Sequence, residues 1–308
     1  MDFGLALPQG SYSDLRRDVA RVARVAEEAG FASLWAYERV LFPVNPTQGM
    51  YGVDGLAWAK AYEYCADPLT VLTLAGAVTE NVRLGTSVLI APLHNTLTLA
   101  RTLATLDKAT GGRVALGLGG GWSIDEYRAA GVDFASRGKI FDELIDGLRA
   151  LLGPNPVTYR DSRIAIEEAL VNPKPETEIP ILIGGGLSER ALKRIALKGD
   201  GWMPVNTPGP VMADLWKRQL DMAEAAGRDP RKLRLVAVAN SSVTSKPVDS
   251  DRQLYQGTPN QIVEDMAAAA AAGAHEIVIA LEADVASTDE LVDKALMLKD
   301  AATAAGLW

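Results

Sequence analysis

Two glycine runs carry the first chemical information in this chain: Gly117-Leu118-Gly119-Gly120-Gly121-Trp122 and Gly184-Gly185-Gly186-Leu187-Ser188. Each follows a short apolar segment, and the second leads into Ser188, a residue type that opens helices. A glycine turn at a helix start exposes backbone N–H groups, which suit a phosphate or another anion. Either run alone also fits a tight turn with no ligand. Two such runs at the ends of neighbouring strands favour a flat ligand lying across both. The first run is not a dinucleotide fingerprint, because Trp122 stands where the third glycine of that pattern belongs.

Other reactive residue types are scarce. His94 and His275 are the only histidines and Cys65 is the only cysteine, so neither a zinc-type cluster nor an internal disulfide is expected. That cysteine usage suits a reducing cytoplasm. His94, in Pro92-Leu93-His94-Asn95, reads either as a loop residue capping the next helix or as a contact to a ligand. His275 opens the last strand and reads as structural. With 31 Lys and Arg against 39 Asp and Glu, the net charge is −8, which lacks the basic footprint that nucleic acid requires. Met1 to Leu7 contains Asp2 and no basic leader, and reads as a first strand rather than a signal peptide. No apolar run approaches the roughly 18 residues of a membrane span, so no membrane contact is expected.

The elements that position the glycine runs alternate along the chain. Strand-like runs cover Phe3 to Leu7, Ser33 to Ala36, Val82 to Ile90, Arg113 to Leu118, Pro180 to Ile183, Gly201 to Val205, Leu233 to Val238 and Glu276 to Leu281. Helical periods lie between them. In the first, Leu15, Val19, Val22, Ala26 and Ala29 form the apolar stripe, charged residues fill the other face and Gly30 supplies the stop. Thr258-Pro259-Asn260-Gln261 reads as a capping box with proline at the first helical position, and Ser287-Thr288-Asp289-Glu290 repeats the device.

Eight strand and helix units in 308 residues predict an α/β fold, a (β/α)₈ TIM barrel with insertions in the βα loops, as one domain over residues 1–308. A doubly wound open sheet is the alternative. In a barrel, function belongs to the βα loops at the C-terminal ends of the strands. The loop from Tyr37 to about Asp67 is long and aromatic, and reads as a substrate lid or as a cap on the barrel end. A second long loop runs from about Ala239 to Gly257. The proline-rich stretch between Gly153 and Glu178 is placed on the opposite side or the flank, without chemistry.

The run Gly85-Thr86-Ser87-Val88-Leu89-Ile90, then Leu99-Ala100-Arg101, Ala104-Thr105-Leu106-Asp107 and Gly111-Gly112-Arg113-Val114 into Gly117 to Trp122, resembles the central signature of luciferase-like oxidoreductases. Ala29-Gly30-Phe31 into Leu34-Trp35, Ile181 to Gly186, Asp200-Gly201-Trp202 and Gly257-Thr258-Pro259 extend the resemblance over nearly the whole chain.

The resemblance implies a barrel that binds coenzyme F420 or FMN, with the ring in the mouth. It assigns Ser87 and Val88 to a bulge with a non-prolyl cis peptide behind the ring, and Gly119, Gly120 and Gly121 to close approach of the ring. It sets Gly184, Gly185 and Gly186 at the phosphate, and Trp122 and Trp202 as pocket walls or core. Where many relatives end the second strand in an acidic residue and a histidine, this chain has Glu38 and Arg39. Where the sugar-phosphate dehydrogenases carry an acid, it has Trp122, with Glu126 one turn on. Both departures argue against glucose-phosphate chemistry.

The expected function is hydride transfer between F420 and a small organic substrate, with Glu38 or Arg39 orienting or protonating that substrate. The alternatives are an FMN-dependent monooxygenase fed by a separate cofactor reductase, and a non-catalytic flavin-binding barrel. A homodimer is expected from the resemblance, and a cytoplasmic setting from the cysteine usage.

Overall fold

The apolar runs pair into a closed ring of parallel strands in a computed structural model that describes residues 1–308. The strands are β1 (Asp2–Ala6), β2 (Ser33–Ala36), β3 (Arg83–Thr86, resumed at Leu89–Ile90), β4 (Val114–Gly119), β5 (Ile181–Gly184), β6 (Gly201–Met203), β7 (Arg234–Asn240) and β8 (Glu276–Ala280). Strand β1 pairs with β2 and with β8, β3 pairs with β4, and every neighbour in between is joined in parallel, so no edge remains. This is the expected (β/α)₈ barrel.

Nine helices surround it: α1 (Leu15–Glu28), α2 (Pro68–Gly76), α3 (Thr96–Ala109), α4 (Ile124–Ala129), α5 (Arg137–Leu152), α6 (Glu189–Lys198), α7 (Gly209–Ala225), α8 (Pro259–Ala271) and α9 (Thr288–Ala304). The capping box at Thr258 and Gln261 is present, and Ser287 caps α9 through the Glu290 N–H. No helix is long and apolar enough to cross a membrane.

Strands of such a barrel are buried on both faces, and residue alternation divides the core. In β7, Leu235, Ala237 and Ala239 face the helices with the large outer cluster, while Val236 and Val238 face inward with Trp35, Leu182, Met203 and Val278. The Trp35 indole occupies space that side chains at Gly4 and Gly85 would claim: a Cβ at Gly85 would sit 2.2 Å from its ring. At the N-terminal end Glu276 accepts from Trp35 Nε1 at 3.1 Å and pairs with Arg83 at 2.6 Å. His275 Nδ1 accepts the Leu235 N–H at 3.0 Å, and burial holds its imidazole below the ordinary pKa, in keeping with a structural role.

The bulge expected at Ser87 and Val88 interrupts the third strand, and the proline-rich stretch holds structure that its sequence does not announce. The predicted strand Val82 to Ile90 is broken at Ser87 and Val88. Its register runs from Gly85 opposite Ala115 to Leu89 opposite Leu118, so β3 spends four residues where β4 spends three, a bulge of one. The stretch between Gly153 and Glu178 contains an antiparallel hairpin, Val157–Arg160 with Ala165–Ala169. It is therefore an insertion in an αβ connection, along the flank. Its tip reaches toward β3, where Arg163 Nη1 donates to the Pro92 carbonyl at 3.1 Å.

Candidate active site at the barrel mouth

The bulge places Val88 on top of the barrel's inner core, where its side chain packs against the cluster of Trp35 and Met203. The peptide between Ser87 and Val88 is cis. Ser87 donates its N–H to the Ala36 carbonyl at 2.7 Å, which holds the bulge to β2. On either side of Val88 stand the two glycine runs. A Cβ on Gly119 would lie 2.6 Å from Val88 Cγ2, and one on Gly184 would lie 3.0 Å from Val88 Cγ1. Three residues from three strands thus share a floor that has room for backbone and a single valine.

Beyond that floor the runs diverge. Gly121 has φ of +62° and turns the chain into α4, capped by Ser123. Trp122 packs 4.4 Å from Trp58 and 5.3 Å from Tyr51, ring to ring, so the long loop after β2 closes over it. Trp58 is buried and donates to the Gln48 carbonyl at 3.0 Å. At the other run Gly185 and Gly186 have φ of +84° and +118°, and the position of a Cβ on Gly185 is open space. Ser188 caps α6 by accepting the Ala191 N–H at 3.3 Å. Trp202, read in the sequence as a pocket wall or as core, belongs to the outer core, where Nε1 donates to the Gly185 carbonyl at 2.6 Å and braces the turn from behind.

Glu38 and Arg39, adjacent in the loop just past β2, diverge. Glu38 is buried, and its Oε2 accepts the Ile90 N–H at 2.6 Å and lies 3.0 Å from His94 Nε2. His94 is therefore a partner of Glu38; the cap of α3 is Asn95, not His94. Arg39 Nη1 lies 3.2 Å from Glu126 Oε2, with side-chain exposures of 8% and 1%. The two atoms are out of line for a hydrogen bond. Burial pushes the Glu126 carboxyl above its usual pKa, while Arg39 pulls it down. The guanidinium also sits 4.9 Å from the Trp122 ring.

Profile comparison matches residues 1–256 to the luciferase-like monooxygenases. The chain belongs to the luciferase-like monooxygenase family. Among curated relatives of this luciferase-like protein, an uncharacterized protein of Mycobacterium tuberculosis is 33% identical over 241 residues, 74% of this chain and 80% of that one. A monooxygenase from Streptomyces bottropensis has the same fold, with a TM-score of 0.80 at 20% identity over 97% of this chain and 98% of that one. An F420-dependent secondary alcohol dehydrogenase, solved with an F420-acetone adduct, aligns with a TM-score of 0.76 at 19% identity over 98% and 99% of the two chains.

Several residues at the mouth of this luciferase-like barrel had no role assigned from the sequence. Gln9, fully buried past β1, accepts the Tyr37 N–H at 2.7 Å and donates to the Tyr37 and Ala66 carbonyls at 2.9 and 2.7 Å, which ties the β1 and β2 loops together. The Tyr37 ring lies 6.0 Å from that of Tyr62, and the charge of Glu282, two residues past β8, acts on the phenols of Tyr12, Tyr37 and Tyr62. The one available signal was position: an acidic residue just beyond an apolar strand falls at the mouth of a barrel. A cleft of about 400 Å³ between Arg149 and Ile179 lies on the αβ connection before β5, away from these groups, and its chemistry gives it no claim over the mouth.

Proposed function

We propose that this protein is an oxidoreductase that passes a hydride between the deazaflavin coenzyme F420 and a small organic substrate, both held at the C-terminal mouth. The observation that carries this reading is the approach of Val88 to Gly119 and Gly184: a Cβ at either glycine would meet the valine methyls, so these positions stay bare backbone, as close approach of a planar ring requires. Coenzyme F420 supplies a ring carbon that exchanges hydride and resists oxygen. Ser87 and Val88 would lie behind the ring, Gly119 to Gly121 at its edge, and Trp122 would wall the pocket. Gly184 to Gly186 and the N-terminus of α6 would face the phosphate, where backbone N–H groups favour an anion.

On the substrate side, Glu38 is tied to the Ile90 N–H and to His94, and Arg39 to Glu126. Both therefore orient the pocket wall next to the substrate. The aromatic loop over Trp122 excludes water. A carbonyl or carbinol substrate agrees with the F420-dependent alcohol dehydrogenase among the fold neighbours.

Equilibrium titration of the purified protein with F420 and, separately, with FMN tests the reading, followed by exposure of each reduced complex to oxygen and to a panel of ketones. F420 binding with ketone-dependent reoxidation is expected. Tight FMN binding with no F420 binding, and consumption of oxygen, would replace it with a monooxygenase supplied by a separate reductase.

A further inference from the structure

Two polar atoms above β1 and β8 are sealed from solvent and have no hydrogen-bond partner: Glu282 Oε1 and Tyr12 Oη. Buried polar atoms in folded proteins are nearly always bonded, so each such orphan calls for an explanation. The other orphans are the facing Arg39 and Glu126 and the amide of Gln219, which lies on α7 outside the barrel. Glu282 and Tyr12 are different, because they lie on loops at the ligand end. Their strands are neighbours, with Leu5 opposite Ile279. The Glu282 charge acts on the phenols of Tyr12, Tyr37 and Tyr62.

Of those three phenols, two are already engaged. Tyr37 Oη donates to the Ala61 carbonyl at 3.4 Å, and Tyr62 Oη lies 3.0 Å from Tyr51 Oη. That leaves Tyr12 Oη and Glu282 Oε1 as the sealed, unpartnered oxygens on the adjoining loops after β1 and β8. The groups that couple to Glu282 from the β1 and β2 loops are these phenols, all held protonated by burial, while the Arg39 guanidinium, 5.6 Å from the Tyr62 ring, is paired with Glu126. Burial accordingly pushes the Glu282 carboxyl up to about 7, against the pull of the Glu282 and Leu281 N–H groups. Such a group can carry a proton or release it near neutrality.

We propose that Glu282 is the acid–base residue for the substrate's oxygen, with the Tyr12 hydroxyl as its hydrogen-bonding partner on that oxygen. The inference rests on the hydride-transfer reading above. When a carbinol is oxidised, its O–H bond breaks and the proton goes to Glu282 Oε1. The electron pair of the carbinol C–H bond leaves as hydride to the bound deazaflavin, which is the oxidant. In reduction the carboxyl O–H bond breaks instead, and the carbonyl oxygen takes that proton as hydride reaches its carbon. The fitting substrate is a neutral secondary alcohol or ketone, because an anionic group next to Glu282 would be repelled.

The test has two arms. The first follows glutamate carboxyls by infrared or ¹³C spectroscopy of the protein without cofactor. A carboxyl titrating near neutrality, missing in E282Q, is expected, and a Glu282 titration in the ordinary carboxylate range overturns the proposal. In the second arm, hydride transfer is measured with secondary alcohols across pH. E282Q should lose about 10²- to 10⁴-fold in kcat and its neutral pH limb, with unchanged F420 affinity, whereas E282D keeps part of both. Y12F should lose less than E282Q. Full turnover with an intact limb in E282Q overturns the proposal. A wild type that binds no F420 sinks the hydride-transfer reading instead, and the spectroscopic titration still decides whether Glu282 is a neutral-range acid.

Discussion

The guanidinium of Arg39 and the carboxylate of Glu126 face each other 3.2 Å apart in a site closed to water. Arg39 comes from the loop after β2 and Glu126 from α4, and the Val40 N–H also donates to Glu126, at 3.0 Å. The pair therefore locks the long aromatic loop onto the turn that follows Gly121. It also consumes the charge of a residue that stands at the mouth and would otherwise be free to meet a substrate.

Removing one partner should expose that dependence. Arg39→Ala leaves Glu126 buried without its counter-ion, at an expected cost of about 3–5 kcal/mol in urea unfolding. Replacing both, R39M with E126L, should recover most of it, since a buried pair is often no better than well-packed apolar residues. A wild-type midpoint for R39A would show that the pair does not hold the loop.

The floor of the mouth makes a steric prediction. Gly119→Ala places a Cβ 2.6 Å from Val88 Cγ2, so overpacking should cost about 1–3 kcal/mol and weaken cofactor binding. Adding V88A removes the clashing methyl groups, and the double variant should regain both stability and affinity relative to G119A. An unchanged defect in the double variant would place the clash elsewhere.

Glu282 should make stability depend on pH. Its folded carboxyl is raised from 4.5 to about 7, so between those values the folded state holds more proton than the unfolded one. Stability then falls as pH rises through that window and is fully present below it. E282Q removes the dependence, and at pH 8 it should be more stable than wild type by roughly 3 kcal/mol, the difference vanishing near pH 4. Melting curves at the two pH values, compared with wild type, decide it; a constant offset contradicts it.

Cys65 should be a poor nucleophile. Burial pushes its thiol up to about 11, and its Sγ sits 3.6 Å from the Tyr37 carbonyl. Because the thiolate is the reactive form, alkylation by iodoacetamide at pH 8 should be roughly 100-fold slower in the folded protein than after unfolding in urea. Equal rates would mean the β2 loop opens readily.

The strand count and the helix ends were legible because both are local. Alternation in Val236 to Ala239 and the stripe of Val19, Val22 and Ala26 are periods of the backbone itself, and the caps at Thr258 and Ser287 involve residues three apart. The hairpin at Val157–Arg160 was missed because its strands are short, largely exposed and set among prolines, which obscures the two-residue period. The glycine runs pointed to a ligand at the mouth, and the resemblance added Ser87 and Val88, whose residue types say nothing unusual.

By itself the sequence determined the barrel, its family and the glycine positions at the strand ends. Only the tertiary structure decided that Glu38 meets His94, that Arg39 is spent on Glu126, and that Glu282 and Tyr12 each keep a sealed oxygen without a partner. Residue type and spacing set which elements form, whereas ionic partners and protonation follow from burial and from the fields of distant residues. Those exist only after β1 and β8 have closed the ring.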